Sequence, residues 1–196
     1  MATPPDFSVG QVLTAAQMNA VGLWKMTPTS VTDGTINADG SVTIGATKSS
    51  VIINGCFTSD FDNYKIILSG GLVSSSNCDI RLQLRTSGGS TSTTGYYSGL
   101  VYSTLASATP VAFNNNNATS WSNFGTSLTT TTPSANADLL SPNLARRTII
   151  SNMFTRPDAC GFLSGYHDVA TAYNSIVISP SPGTFSDCVV RIYGYN

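Results

Sequence analysis

Cys78-Asp79-Ile80-Arg81-Leu82-Gln83-Leu84-Arg85-Thr86 alternates without a break. Ile80, Leu82 and Leu84 fall on one side of an extended chain, and Arg81, Gln83 and Arg85 on the other, which is the period-2 signature of a strand with one dry and one wet face. The flanking sequence repeats the theme in short segments. Upstream, Asn37-Ala38-Asp39-Gly40 reads as a turn into Ser41–Gly45, and Ser49–Phe57 and Tyr64–Ser69 read as strands joined through Asp60-Phe61-Asp62-Asn63. Downstream, Gly95–Leu105 reads as a long strand or a bent pair, followed by Trp121–Leu128, Arg147–Phe154, Cys160–His167, Tyr173–Ser179 and Cys188–Tyr195. Asn114–Asn117, Thr129–Ser134 and Ser179-Pro180-Ser181-Pro182-Gly183 punctuate them as loops. Roughly eight to ten short strands at this spacing predict an all-β fold, an antiparallel β-sandwich of jelly-roll-like form.

Composition narrows the function classes. Charged residues are 10% of the 196 and the net charge is -1. There is no Glu, and Lys occurs only at Lys25, Lys48 and Lys65, so long surface helices lack their usual residues. No basic stripe exists to neutralise a run of phosphates, which argues against nucleic acid as a partner. No stretch approaches the roughly 18–20 apolar residues of a membrane span, and the start MATPPDFSVG has neither a basic nor an apolar leader region. The expectation is synthesis in a cytosol, without a visible export signal and without membrane insertion. Cys56, Cys78, Cys160 and Cys188 are far apart and form no C-x-x-C pair, so they read as free thiols rather than zinc ligands.

The first 26 residues follow a different pattern from the rest. Thr14 is placed to cap a helix of about two turns over 15–20, with Gln17 reaching back and Leu13 and Met18 as a hydrophobic staple. Gly22 stands where such a helix stops. A helix this short is marginal alone in water and must dock. Its companions Phe7, Val9, Val12, Leu13, Met18, Val21, Leu23 and Trp24 are more apolar surface than one short helix covers, so they pack on the chain's own sandwich or plug into another subunit. The chain divides on this reading into residues 1–26, a docking segment, and 27–196, a β-sandwich domain.

Chemistry has little to work with. His167 is the only histidine, and its neighbour Asp168 points to the opposite face of any strand that contains both. Asp60 and Asp62 could face each other as glycosidase carboxylates or, with Asn63, offer oxygens to Ca²⁺, but turn-capping is the plainer role and the Ca²⁺-loop spacing is missing. Gly70-Gly71 and Gly88-Gly89 are turn glycines rather than a phosphate loop. No catalytic residue, metal ligand or cofactor is expected. A binding surface is easier to assemble: Tyr96, Tyr97, Tyr102, Trp121 and Tyr166 sit beside Ser-, Thr- and Asn-rich segments, the mixture used in recognising glycans and proteins.

Three segments carry a family resemblance. Phe7–Trp24 (FSVGQVLTAAQMNAVGLW) resembles the N-terminal segment of tailed-bacteriophage tail and fibre proteins. Pro182–Tyr195 (PGTFSDCVVRIYGY) is similar to the closing strand of phage virion β-sandwich proteins, and Phe57–Ile66 (FTSDFDNYKI) to one of their strand connections. The resemblance implies a non-enzymatic virion structural protein, made in the host cytoplasm, with an N-terminus that docks on other virion proteins and a sandwich that projects outward, often as a homotrimer. A tail-associated fibre or receptor-binding module that attaches to the host through a surface glycan or protein fits best. A capsid decoration or head-fibre protein is the alternative, and an enzyme degrading host polysaccharide a distant third.

Overall fold

The computed structural model describes residues 22–75, 77–107, 109–128, 131–156 and 158–196. The expected helix over 15–20 and the docking residues Phe7, Val9, Val12, Leu13, Met18 and Val21 lie outside them. Among the described residues all regular structure is β. The chain runs through β1 (Trp24–Lys25), β2 (Ser30–Thr32), β3 (Gly34–Ile36), β4 (Val42–Ile44), β5 (Val51–Asn54) and β6 (Asn63–Ser69). It continues through β7 (Leu72–Val73), β8 (Cys78–Arg85), β9 (Tyr96–Thr104), β10 (Val111–Ala118), β11 (Trp121–Ser127) and β12 (Ala135–Leu140). The last strands are β13 (Thr148–Arg156), β14 (Ala159–His167), β15 (Ser175–Ser181), β16 (Phe185–Ser186) and β17 (Cys188–Tyr195).

Two antiparallel sheets form the sandwich. The larger has ten strands, in the order β10-β9-β14-β13-β12-β6-β17-β4-β3 with β1 added beside β17, and the smaller has five, β11-β8-β15-β5-β2. Cys78–Arg85 is β8, between β11 and β15 in the small sheet, and Ile80, Leu82 and Leu84 are all fully buried. Across the interface the large sheet answers with Ile66, Leu139, Ile150, Leu163 and Ile192, so alternation in both sheets builds one core. Truncating any of these to Ala would cost about 2–5 kcal/mol.

One buried polar side chain ties the layers together. Asn152 on β13 donates from Nδ2 to the Phe124 carbonyl of β11 at 2.6 Å and accepts at Oδ1 from the Asn136 amide at 3.2 Å. In a core this apolar such a group is tolerated because its bonds are made.

The sandwich takes in the chain from Trp24 onward, somewhat before the expected boundary at residue 27. Trp24 pairs with Gly194 and stacks on Phe61 with centroids 5.5 Å apart, while Met26 is buried and its amide donates to the Ile192 carbonyl at 2.8 Å. Gly194 belongs there because a Cβ would run into the Phe61 ring. Leu23 is 48% exposed.

Two expected loops are strands instead. Asn114–Asn117 lies within β10, and Ser179–Ser181 within β15. In both cases a neighbouring strand supplies the hydrogen bonds that Asn and Pro-rich sequence would not demand by propensity: β9 for the asparagines, β8 for the serines. β12, between the Thr-rich stretch and Ser141, carries no strong pattern of its own and is held by β6 and β13 on its two sides.

Candidate functional site on the outer face of the large sheet

Register decides which side chains share a face. β9, β14 and β13 pair so that Tyr97, Tyr166 and Ile149 form one cross-strand row, Gly99, Ser164 and Ser151 the next, and Val101, Phe162 and Met153 a third. All three rows point away from the small sheet, because the alternate residues Leu100, Leu163 and Asn152 are buried against it.

Tyr97 and Tyr166 stack with centroids 5.0 Å apart and planes 13° from parallel. The Arg147 guanidinium lies 5.3 Å over the Tyr166 ring while its Nε donates to Asp168. Gly165 lies beneath this arrangement, where a Cβ would collide with the Tyr97 carbonyl and Ser98. That close approach is what lets β14 and β9 press together under the ring pair. Above Gly99 the space is open, so the middle row is a trough floored by Gly and Ser.

Asn114, Asn115 and Asn116 of β10 close one side of the groove, with Tyr97, Tyr166, Ile149, Ser164 and Arg147 around it. Asn115 is oriented by a bond from Nδ2 to Ser98 Oγ at 3.3 Å, and Asn117, at a positive φ of 52°, accepts the Gly95 amide at 2.9 Å. The groove therefore offers a stacked aromatic pair whose inner faces cover each other, with Arg147 over Tyr166, neutral amide and hydroxyl hydrogen-bonders, and one guanidinium already paired with a carboxylate.

The expected aromatic surface separates into three groups. Tyr97 and Tyr166 come together in the groove. Tyr102 stands on the other face of the sheet, half-buried, lining a cleft with Leu100, Phe113 and Phe154. Tyr96 and Trp121 are a correction: both are fully buried, edge to face at 5.0 Å, because their strand positions point inward and the Tyr96 hydroxyl finds the Ser92 carbonyl and the Leu84 amide. Arg147 was missed, and the Asn-rich segment expected beside the tyrosines is a strand rather than a loop. The alternation Val111-Ala112-Phe113 just before the asparagines was the available signal that the run continues a strand.

His167 ends β14 and is fully buried in a box of Tyr96, Trp121 and Tyr173, with Nε2 3.0 Å from the Thr94 carbonyl and 2.9 Å from Ser92 Oγ. Burial lowers its pKa, opposed by the Thr94 carbonyl. Asp60 takes part in a turn with Thr58, and the Asp62 amide binds Asn196 Oδ1 at 3.0 Å. Among the described residues no three His, Cys, Asp or Glu side chains gather as metal ligands, and no helix is long and apolar enough to cross a membrane. The four cysteines are free thiols, buried except for exposed Cys160.

No family model, no curated protein and no solved structure matches this chain.

Proposed function

We propose that this chain is a non-enzymatic virion structural protein, a tail-associated fibre or receptor-binding module whose groove at Tyr97 and Tyr166 takes a neutral sugar ring of a host-surface glycan. The observation that carries the binding part is the stacked, solvent-facing tyrosine pair set among Asn114–Asn116, Ser164 and Arg147. Aromatic faces pack on the C–H side of a pyranose, and amides and hydroxyls bond its rim. Arg147 holds Asp168 through Nε, so the two charges at the groove balance. The assignment to a virion rests on the sequence resemblance at both ends of the chain. On the same reading the sandwich is wound in jelly-roll-like fashion, the protein is a homotrimer, and the residues before Gly22 dock on other virion proteins.

A glycan array probed with the full chain tests the groove. Tyr166→Ala is expected to weaken the best neutral glycan about tenfold, the equivalent of about 1.4 kcal/mol, with the fold retained. Undiminished binding by a Tyr97→Ala/Tyr166→Ala double variant refutes the groove. Docking is tested by removing residues 1–21 only, since Trp24 and Met26 belong to the sandwich. Normal incorporation of that truncated chain into particles would sink the docking assignment, and its position by electron microscopy separates tail from capsid.

A further inference from the structure

The Tyr97–Tyr166–Ile149 row is one wall of a trough that runs across the strands. Its floor is a single register row, Asn114–Gly99–Ser164–Ser151–Asp138, leading from the edge strand β10 through β9, β14 and β13 to β12. Gly99 and Ser164 are exposed and Ser151 is half-buried, and the space over Gly99 is empty. The opposite wall is the Val101–Phe162–Met153 row, whose side chains are 54%, 47% and 62% exposed. Ile149 in the first wall is 46% exposed. Apolar side chains gathered in the open on one sheet face mark a place where something binds.

The dimensions and the chemistry of the trough narrow what that is. The walls stand four residues apart along each strand, about 13 Å at strand spacing. With a contact distance of about 3.5–4.0 Å allowed on each flank, the free width is about 5–6 Å, room for one chain and not for two abreast. At about 4.8 Å between neighbouring strands, the floor from β10 to β12 is about 19 Å long. β9, β10 and β14 contain no Asp, Glu, Lys or Arg. The charges at the margins stand as pairs, Arg147 with Asp168 and Lys65 with Asp138 at 2.9 Å.

We propose that the trough takes a linear, unbranched, neutral oligosaccharide several units long, lying across β9, β14 and β13 between Asn114 and Asp138. This rests on the reading of the Tyr97–Tyr166 groove as a glycan site and fixes the class of glycan it takes. A pyranose ring standing on edge has C–H faces on two sides and hydroxyls along its rim. Set in the trough, it turns those faces to the apolar walls and its rim to Ser164 and Ser151 on one side and to water on the other. An extended peptide meets the same walls with its amides and carbonyls, and two floor hydroxyls cannot satisfy them. The free width also excludes a branch, so a branched glycan enters only by an unbranched arm.

Calorimetric titration of the full chain with linear oligomers of glucose, galactose, mannose and N-acetylglucosamine, each from the single sugar upward, tests this. In at least one series affinity is expected to rise about tenfold or more, the equivalent of about 1.4 kcal/mol, until the oligomer spans the floor, and then to level off. Phe162→Ser in the far wall is expected to weaken the long oligomer about tenfold and leave the single sugar unchanged, with an unaltered far-UV circular dichroism spectrum. Met153→Ser, at a more exposed position, repeats the test should the first variant misfold. Tyr166→Ala weakens both lengths. A single sugar that binds as tightly as the long oligomer, still weakened by Tyr166→Ala, overturns the trough and leaves the groove standing. Equal binding of chains branched at every unit overturns it too. Absence of binding in all four series overturns the groove reading and the trough with it.

Discussion

Replacing Asn152 by Leu keeps its size and removes its chemistry at the point where the two sheets are pinned together. The side chain is 1% exposed and bonds the Phe124 carbonyl at 2.6 Å and the Asn136 amide at 3.2 Å. Leucine leaves both backbone groups facing hydrocarbon, at about 1–3 kcal/mol each. Part of this is offset by the added apolar burial, so the net loss is about 1–4 kcal/mol, a sizeable share of the about 5–15 kcal/mol that holds a domain together. At about 2–4 °C per kcal/mol for a chain of this size, the midpoint of thermal unfolding should drop by about 2–16 °C. Differential scanning calorimetry of wild type and Asn152→Leu measures it, with exposed Asn136→Ala as the control expected to move little. A shift under about 2 °C would show that the cross-sheet bonds contribute nothing net, and the account of how the layers are aligned would be wrong.

Two further outcomes follow from buried groups. His167 is neutral in the folded protein with its pKa lowered by burial, so its contribution is fully present above the unfolded value of about 6.5 and is lost as pH falls through the lower folded value. Thermal midpoints recorded at falling pH should therefore decline less steeply in His167→Gln than in wild type, and parallel curves would contradict the burial argument. A thiol reagent added to the native chain should modify Cys160 quickly and the other three slowly, because burial encloses Cys56 and Cys78 and pushes the Cys188 thiol up to about 11. Rapid release from all four without denaturant would refute this.

The sandwich was legible because β8 announces itself by alternation and short strands recur between turn residues around it, and one buried face per strand is all that such alternation needs. The groove was only half legible. Tyr97 and Tyr166 meet through the pairing of β9 with β14, which are separated by some sixty residues of chain, and no local pattern states that register. Tyr96 and Tyr97 differ by one position and so by an entire face, which is why one belongs to the core and the other to the surface. The asparagine run deceived for a related reason: Asn is a turn former on average, yet at a sheet edge tertiary pairing outweighs that preference. Arg147 joined the site through its place over the Tyr166 ring, a contact invisible from spacing.

The missing charge on β9, β10 and β14 bears on the surroundings in which this surface would work. An interface made of ion pairs loosens as dissolved salt screens its charges over about 8 Å at physiological ionic strength. A surface of Val and Phe edged with Asn and Ser gives screening little to act on, and excluded salts such as sulfate strengthen apolar burial instead. Contacts made there would hold in brine as they do in dilute fresh water.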